Sequence, residues 1–322
     1  MTKRIDWIDI AKGIAIILVV IGHTLDEASI ARHVIFSFHM PVFFILAGYT
    51  MRPKPMSTVV RSSWSRLLVP YLLICIAWWG ASWLQDPAGF SGSILLKYLG
   101  MVVFASGYDN YALGIPAIGI AWFLVALFCA RLLVNAGLLV NQKNGTALWK
   151  LAIVYLVLAI VGAVLGYYRI FLPLSLDVAF VASFLMWCGY MAKCGSLMDW
   201  IVQRKWVLIP IAVVWIGSLF TTDFEMAARH YGMFVMSMAG ALCGTCLVCF
   251  ISWLIDNYVA FLKKPLVWAG QNSMLVYNIH AVDWFVPWRT LPLLASLPAS
   301  HFLGGIARCV CDFALAAAFR RA

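Results

Sequence analysis

Long apolar segments recur along this 322-residue chain, and they restrict its possible folds more than any other feature. Hydrophobic residues make up 64% of the sequence and charged residues 11%, which is about half the charged fraction of a typical soluble domain. Segments of about 20 apolar residues can cross a bilayer as helices. Their polar residues alternate too rarely for the strands of a membrane barrel. The sequence therefore predicts an all-α integral membrane protein.

We predict a bundle of about ten transmembrane helices that forms a single domain over residues 1–322. The spans are expected near residues 10–27, 34–51, 66–84, 112–133, 149–167, 175–192, 206–221, 232–255, 266–286 and 302–319. The shorter apolar stretch Ile94–Ala105 is predicted to be re-entrant or interfacial. Since only short polar connections remain, any site is expected between helices or at their ends.

The basic residues predict the orientation of the bundle. With a cytoplasmic N-terminus, 16 of the 23 Lys and Arg residues fall in inside segments and 5 in outside segments. The positive-inside rule then predicts that both termini are cytoplasmic. The net charge of +10 is explained by this topology, so membrane lipids are expected around the chain and no nucleic acid is expected as a partner.

The first predicted span places a lysine and a histidine on one helix face. Lys12 and His23 are eleven residues apart, which on an α-helix is about 20° past three full turns and about 16 Å along the axis. Charged and titratable side chains inside a span are costly and mark functional sites. Taken alone, Lys12 is better explained by snorkelling towards the inner interface, with Asp9 as its neighbour. Its shared face with His23 favours a functional role.

Three histidines within predicted spans, His23, His39 and His280, are expected at similar depth in the outer half of the membrane. Such residues either form interhelical hydrogen bonds or build a site. Asp26 lies one turn after His23 and either supports the ring as part of a general base or faces water. For Trp122 an aromatic belt at the interface is the preferred interpretation, and stacking on a sugar is the alternative.

Basic and sulfur-containing residues give weaker signals. The inner connection after the second span contains Arg61 and Arg66, which suit a phosphorylated cytoplasmic ligand but which topology alone also demands. The spacing of Cys243, Cys246 and Cys249 is found in iron–sulfur sites. No fourth cysteine follows at a fitting distance, so we predict small packing residues and no metal.

Five stretches resemble, in the same order, the characteristic segments of the membrane-bound acyltransferase family 3. They are Lys12-x10-His23, Phe38–Gly48 (FHMPVFFILAG), Arg66–Tyr71 (RLLVPY), Trp122–Leu124 (WFL) and Gly270–His280 (GQNSMLVYNIH). Lys12 and the opening DIAKG are most similar to the fucose 4-O-acetylase-like members. The sequence departs from the family pattern in three ways: Lys12 replaces a commoner Arg, Ala47 replaces a usual Ser, and Arg61 and Arg66 lack the RxxR spacing.

The resemblance implies an O-acyltransferase of the bacterial inner membrane that uses cytoplasmic acetyl-CoA as its donor. Its acceptor would be a hydroxyl of a cell-surface polysaccharide or lipid-linked sugar. His23 would be catalytic, with Asp26 supporting it, and Lys12, Arg66 and Arg61 would bind the donor. We assign acceptor binding to a further set of residues. They are His39, His280, Trp122 and Asn272.

Two other functions fit the composition. A transporter or flippase for a lipid-linked sugar would line its path with the same lysine and histidines, although no internal repeat supports it. A membrane sensor domain would bind a ligand without chemistry. Turnover separates the hypotheses, because neither alternative consumes acetyl-CoA.

Overall fold

In the computed structural model, which describes residues 5–85, 91–145, 148–283 and 300–320, the regular elements are helices. Two isolated backbone bridges, Asn110–Ile115 and Glu225–His230, close short loops. The α-helices are α1 (Asp6–Gly22), α2 (Ile30–Phe36), α3 (His39–Tyr49), α4 (Met56–Ser63), α5 (Val69–Gln85), α6 (Gly92–Phe104), α7 (Trp122–Asn144), α8 (Leu148–Tyr167), α9 (Leu176–Cys194), α10 (Leu197–Gln203), α11 (Leu208–Thr221), α12 (Phe234–Tyr258), α13 (Ala260–Gln271), α14 (Ser273–Asp283) and α15 (Ser300–Phe319).

Shorter helical turns join several of these helices. A π-helical turn, Trp64–Leu68, connects α4 to α5, and 3-10 turns at Gly119–Ala121, Pro173–Ser175 and Lys205–Val207 precede α7, α9 and α11. Six helical segments of the described chain are long and apolar enough to cross a membrane, or seven if α10 and α11, bent by 103°, form one span. The all-helical membrane fold is therefore confirmed, and the number of ten spans stays a prediction.

Helix boundaries match the predicted spans best where a continuous apolar run ends in polar residues. The fifth span was expected over 149–167, and α8 covers Leu148–Tyr167. The fourth, expected over 112–133, is displaced: its helical segment covers Gly119–Asn144. Gly114 and Gly119 have positive φ values of 60° and 61°, a conformation that glycine adopts without strain and a helix does not contain, so the chain before α7 forms a loop.

Two predicted spans are interrupted because polar side chains bond to the helix backbone. The first, expected to reach residue 27, ends at Gly22, and the hydroxyl of Thr24 donates a hydrogen bond to the Ile21 carbonyl at 2.7 Å. The ninth breaks at Asn272, whose side-chain amide donates to the Trp268 carbonyl at 2.7 Å. Such bonds compete with continued helix. Residues 284–286 of the ninth prediction lie outside the described residues.

The chain divides into two compact, interleaved units. The first unit comprises Met1–Phe43, Ser196–Phe224 and Gly232–Ala322, and the second comprises Phe44–Gly195 and Glu225–Tyr231. Each unit is described by itself. The single domain over residues 1–322 stays a prediction.

In the first unit, α1 is the central helix and packs against α12, α13, α14 and α15. Its closest approach is to α13, where glycines face the partner's backbone: Gly13 lies against the Leu266 carbonyl and Gly270 against the Asp9 carbonyl. Small residues permit such close packing between membrane helices. This contact fixes α1, and hence Lys12 and His23, relative to α13.

Gly270→Ala is expected to lower stability, because its new Cβ would meet the backbone of Asp9. Overpacking of this kind costs about 1–3 kcal/mol. Gly217→Ala in α11 is the matched control, since nothing lies within 4 Å of the added carbon. Thermal unfolding in detergent should show a lower midpoint for Gly270→Ala and no loss for Gly217→Ala. Equal midpoints would show that the glycine contact does not limit packing.

The second unit is built on α7, α8 and α9, which pack together. Close backbone contacts again use glycine: Gly48 lies against the Met186 carbonyl and Gly189 against the Ile45 carbonyl. The inner connection is tied to α7 by Asn135, which is fully buried and bonds both the amide nitrogen and the carbonyl of Lys54 at 3.0 and 2.8 Å. These bonds fix Lys54 relative to α7, and therefore also fix the start of α4, which contains Arg61.

A buried ion pair joins the loop 225–231 to α9 within the second unit. Arg229 donates from Nε to Asp177 Oδ2 at 2.7 Å, and its other nitrogens reach the hydroxyls of Ser106 and Ser175 at 2.7 and 3.3 Å. Both charged side chains are at most 1% exposed. Burial and the Asp177 carboxylate raise the pKa of the neighbouring Tyr231, which is therefore a neutral phenol. The ion pair and the two serine hydroxyls thus compensate the buried charges of Arg229 and Asp177.

Candidate active site

His23 is the C-cap residue of α1. It follows Gly22, the last residue of the helix, and its own backbone angles are still close to helical. Its side chain is partly buried. The His23 ring lies beside that of His280, with centroids 5.8 Å apart and planes inclined by 40°. It also packs edge-on against Phe36, at 5.5 Å. The structure thus brings together two histidines that are far apart in the sequence, from α1 and α14.

The carboxylate of this site comes from α15. His280 Nδ1 lies 3.0 Å from Asp312 Oδ2, and the two side chains are 0% and 1% exposed. An ionised carboxylate only accepts hydrogen bonds, so the imidazole donates its Nδ1–H to Asp312. This bond fixes the orientation and the tautomer of His280. A carboxylate and an imidazole arranged in this way occur in general-base catalysis.

Helix α2 adds a cation, and α3 adds a further histidine. The Arg32 guanidinium stacks 3.9 Å above the Phe36 ring. The centroid of the His39 ring lies 4.5 Å from that of the Phe36 ring, and His39 Nδ1 donates to the Ile35 carbonyl at 3.0 Å. Arg32, His39 and Arg308 all act electrostatically on the His23 ring. We call His23, His39, His280, Arg32, Arg308 and Asp312 the histidine cluster.

Lys12 and Asp26 each contact a residue near them in the sequence. Lys12 Nζ is 3.9 Å from the buried carboxylate of Asp9, and the lysine side chain is 28% exposed. Asp26 is exposed, and its backbone carbonyl accepts a hydrogen bond from the Ser29 amide at 2.9 Å. The catalytic role of Asp26 stays a prediction, and the carboxylate observed beside His280 is that of Asp312.

Arg61 and Arg66, the predicted donor-binding arginines, belong to the second unit and are exposed. Arg61 lies in the last turn of α4, and Arg66 lies in the π-helical turn, a type of distortion often found at functional sites. That turn packs against α7, where the partly buried Arg131 lies within electrostatic range of Arg66. Two guanidinium groups held near each other repel unless an anion lies between them.

The other predicted acceptor-binding residues have structural contacts. Trp122, in the second unit, is 4% exposed and packs edge-on against Phe123, with ring centroids 6.2 Å apart. Asn272, in the first unit, is partly buried at the break between α13 and α14. The binding roles of both residues stay predictions.

Asp312 and Arg131 are the residues that the sequence analysis missed. Asp312 is an acidic residue within the tenth predicted span, and an ionisable residue inside a span is by default a functional candidate. It was overlooked because carboxylates were sought only near His23 in the sequence. Arg131 is one of the 16 basic residues counted above in inside segments, whereas in the structure it lies within α7, which extends to Asn144.

Metal ligation is not indicated by the described part of the chain, which contains no group of three or more His, Cys, Asp or Glu side chains with suitable geometry. Cys243, Cys246 and Cys249 are all free thiols on α12. The histidine cluster therefore offers imidazole, carboxylate and guanidinium groups for proton transfer and charge stabilisation.

The apolar helices and the internal histidine cluster define a multi-pass membrane protein with a candidate active site in its first unit. Comparison with protein families identifies the class of reaction. A family model described as an acyltransferase domain matches residues 5–311. The chain belongs to the acyltransferase 3 family and is an acyltransferase. Comparison with curated proteins finds no match.

Proposed function

We propose that this chain is a membrane O-acetyltransferase that moves an acetyl group from cytoplasmic acetyl-CoA to a hydroxyl of a cell-surface polysaccharide or lipid-linked sugar. We further propose that it acts in a bacterial inner membrane and is similar to the fucose 4-O-acetylase-like members of its family. The observation that carries the proposal is the partly exposed His23 ring, which lies beside the His280–Asp312 pair. Membership of the acyltransferase family supports the reaction class.

His23 is the general base in this proposal. An alcohol attacks a thioester readily only if a base removes its proton as the new bond forms. The acceptor oxygen bonds to the acetyl carbonyl carbon, the carbon–sulfur bond breaks, and the proton taken by His23 passes to the CoA thiolate. The products are a sugar acetate and CoA. His39, Trp122 and Asn272 remain the proposed acceptor-binding residues, and the fully buried His280 is proposed to act on His23.

Arg66, Arg61 and Lys12 are the proposed donor-binding residues, and the structure supports adding Arg131. The described residues of the second unit contain three acidic side chains, Asp109, Asp177 and Glu225. All three bond elsewhere, to Ala117, Arg229 and Tyr108 respectively. Because no described carboxylate of this unit bonds Arg66 or Arg131, a phosphate-bearing ligand such as CoA fits the two guanidinium groups.

Arg131→Gln is expected to raise the KM for acetyl-CoA and leave kcat nearly unchanged, because it removes binding that is equal in the ground and transition states. Loss of one hydrogen bond to a charged group corresponds to about a tenfold to hundredfold change. Lys143→Gln removes an exposed cation from the same helix and is the control. Initial rates at varied acetyl-CoA give both constants. An unchanged KM in Arg131→Gln would remove this residue from the donor site.

The reaction itself is tested with purified protein in lipid nanodiscs. Acetyl-CoA is supplied with a panel of neutral and acidic glycosides and lipid-linked sugars, and release of the CoA thiol is followed. The proposal expects thiol release that depends on one class of acceptor. A protein that moves a lipid-linked sugar across the bilayer while acetyl-CoA stays intact would instead be a transporter.

A further inference from the structure

The His280–Asp312 pair is buried more deeply than its neighbour His23. His280 and Asp312 are 0% and 1% exposed, whereas His23 is only partly buried. Since a substrate contacts only groups with accessible surface, His23 is the histidine of this pair that meets the acceptor. Any effect of His280 and Asp312 on the reaction must then pass through His23.

The hydrogen-bond geometry indicates the direction of that effect. Asp312 accepts the Nδ1–H of His280 at 3.0 Å, so a neutral His280 ring has its lone pair on Nε2. The rings of His23 and His280 are 5.8 Å apart, a separation at which the edges of neighbouring rings are in contact. The Asp312 carboxylate is therefore separated from the His23 ring by the single imidazole ring of His280.

The surroundings of His23 make this charge important. Arg32 from α2 and Arg308 from α15 act on its ring as cations, and His39 and His280 are further titratable neighbours. A proton taken by His23 would add positive charge beside these groups, which is unfavourable in a low-dielectric interior. Asp312 is the buried carboxylate that the described structure places within this cluster.

On the basis of the function proposed above, we propose that His280 and Asp312 are positioning residues for acyl transfer. His280 holds the His23 ring in place, and the Asp312 carboxylate balances the charge that His23 acquires while it carries the acceptor proton. The carboxylate keeps its own charge throughout. After the carbon–sulfur bond breaks, the proton leaves His23 for the CoA thiolate and the pair returns to its starting state.

The first test measures the reactivity of His23 and needs no acceptor. Diethyl pyrocarbonate transfers an ethoxycarbonyl group to an imidazole nitrogen, releasing ethanol and carbon dioxide, and mass spectrometry gives the rate at each histidine. The exposed His230 is the internal reference. Asp312→Asn keeps the shape and an acceptor oxygen but removes the charge, and is expected to slow modification of His23 relative to His230. Asp312→Glu should restore it. If the ratio of the His23 rate to the His230 rate were the same in the wild type, Asp312→Asn and Asp312→Glu, the proposal would be overturned.

The second test separates charge balance from a structural role. Asp312→Asn should lower kcat by about a hundredfold, within the range of general-base effects, while the KM for acetyl-CoA stays within about twofold. Asp312→Glu should recover part of kcat. His280→Gln should repeat the loss if Asp312→Asn does not accumulate as folded protein. Wild-type protein that transfers no acetyl group would refute the proposed function, whereas the reactivity ratio would still decide the role of Asp312.

Discussion

His23→Gln is expected to lower acetyl transfer by about a hundredfold to ten-thousandfold, the contribution typical of a positioned general base. Glutamine fills similar space beside Phe36 and His280 and can form hydrogen bonds, but it cannot take up a proton at neutral pH. The loss should therefore appear in kcat, with the KM for acetyl-CoA little changed. Initial rates of CoA release by protein in nanodiscs provide the measurement.

His230→Gln is the matched control for this experiment. His230 is exposed and contributes its backbone to the Glu225–His230 bridge, so replacement of its ring should leave the rate at the wild-type value. Full activity of His23→Gln would exclude His23 as the base. A rise in the acetyl-CoA KM without a loss of kcat would instead make His23 a donor-binding residue.

Arg229→Met is expected to cause a large loss of stability. It would leave the Asp177 carboxylate buried without its cation, and breaking a buried pair in this way costs about 3–5 kcal/mol. Ser106 and Ser175 would also lose the guanidinium to which they are bonded. Thermal unfolding in detergent, followed by loss of the monodisperse elution peak, should show a clearly lower midpoint.

The exposed Arg169 of the same unit provides the control, because Arg169→Met removes a cation without uncovering a buried charge. A double variant, Arg229→Met with Asp177→Leu, tests the cause. Replacement of both partners by apolar residues is often near neutral, so it should recover much of the lost stability. If the double variant were less stable than Arg229→Met, the penalty would come from lost packing and not from an unpaired carboxylate.

The bounds of the membrane helices could be predicted from the sequence where a continuous apolar segment determines the structure. An uninterrupted apolar run such as α8 can satisfy its backbone only as a helix in lipid, and its observed bounds differ little from those expected. The same reasoning failed at Thr24 and Asn272, because hydropathy averages hide single side chains that bond to the helix backbone. The displaced start of α7 likewise depends on two glycines with positive φ.

The candidate site was predictable in its residue types and only partly in its partners. His23 and His280 were expected at similar membrane depth, and the structure brings their rings together. The carboxylate partner was sought at Asp26 because local helix geometry is all that a single sequence gives. Asp312 contacts His280 through the packing of α14 on α15, a tertiary contact that hydrophobic periodicity does not encode.

The most direct test of the account follows the fate of the acetyl group. Acetyl-CoA labelled in its acetyl carbon is incubated with wild-type or His23→Gln protein in nanodiscs that contain the acceptor panel. The account predicts label in an alkali-labile ester of a sugar or lipid-linked sugar with the wild-type protein, and none above background with His23→Gln. Equal ester formation by the two proteins would contradict the central claim that His23 carries the transfer.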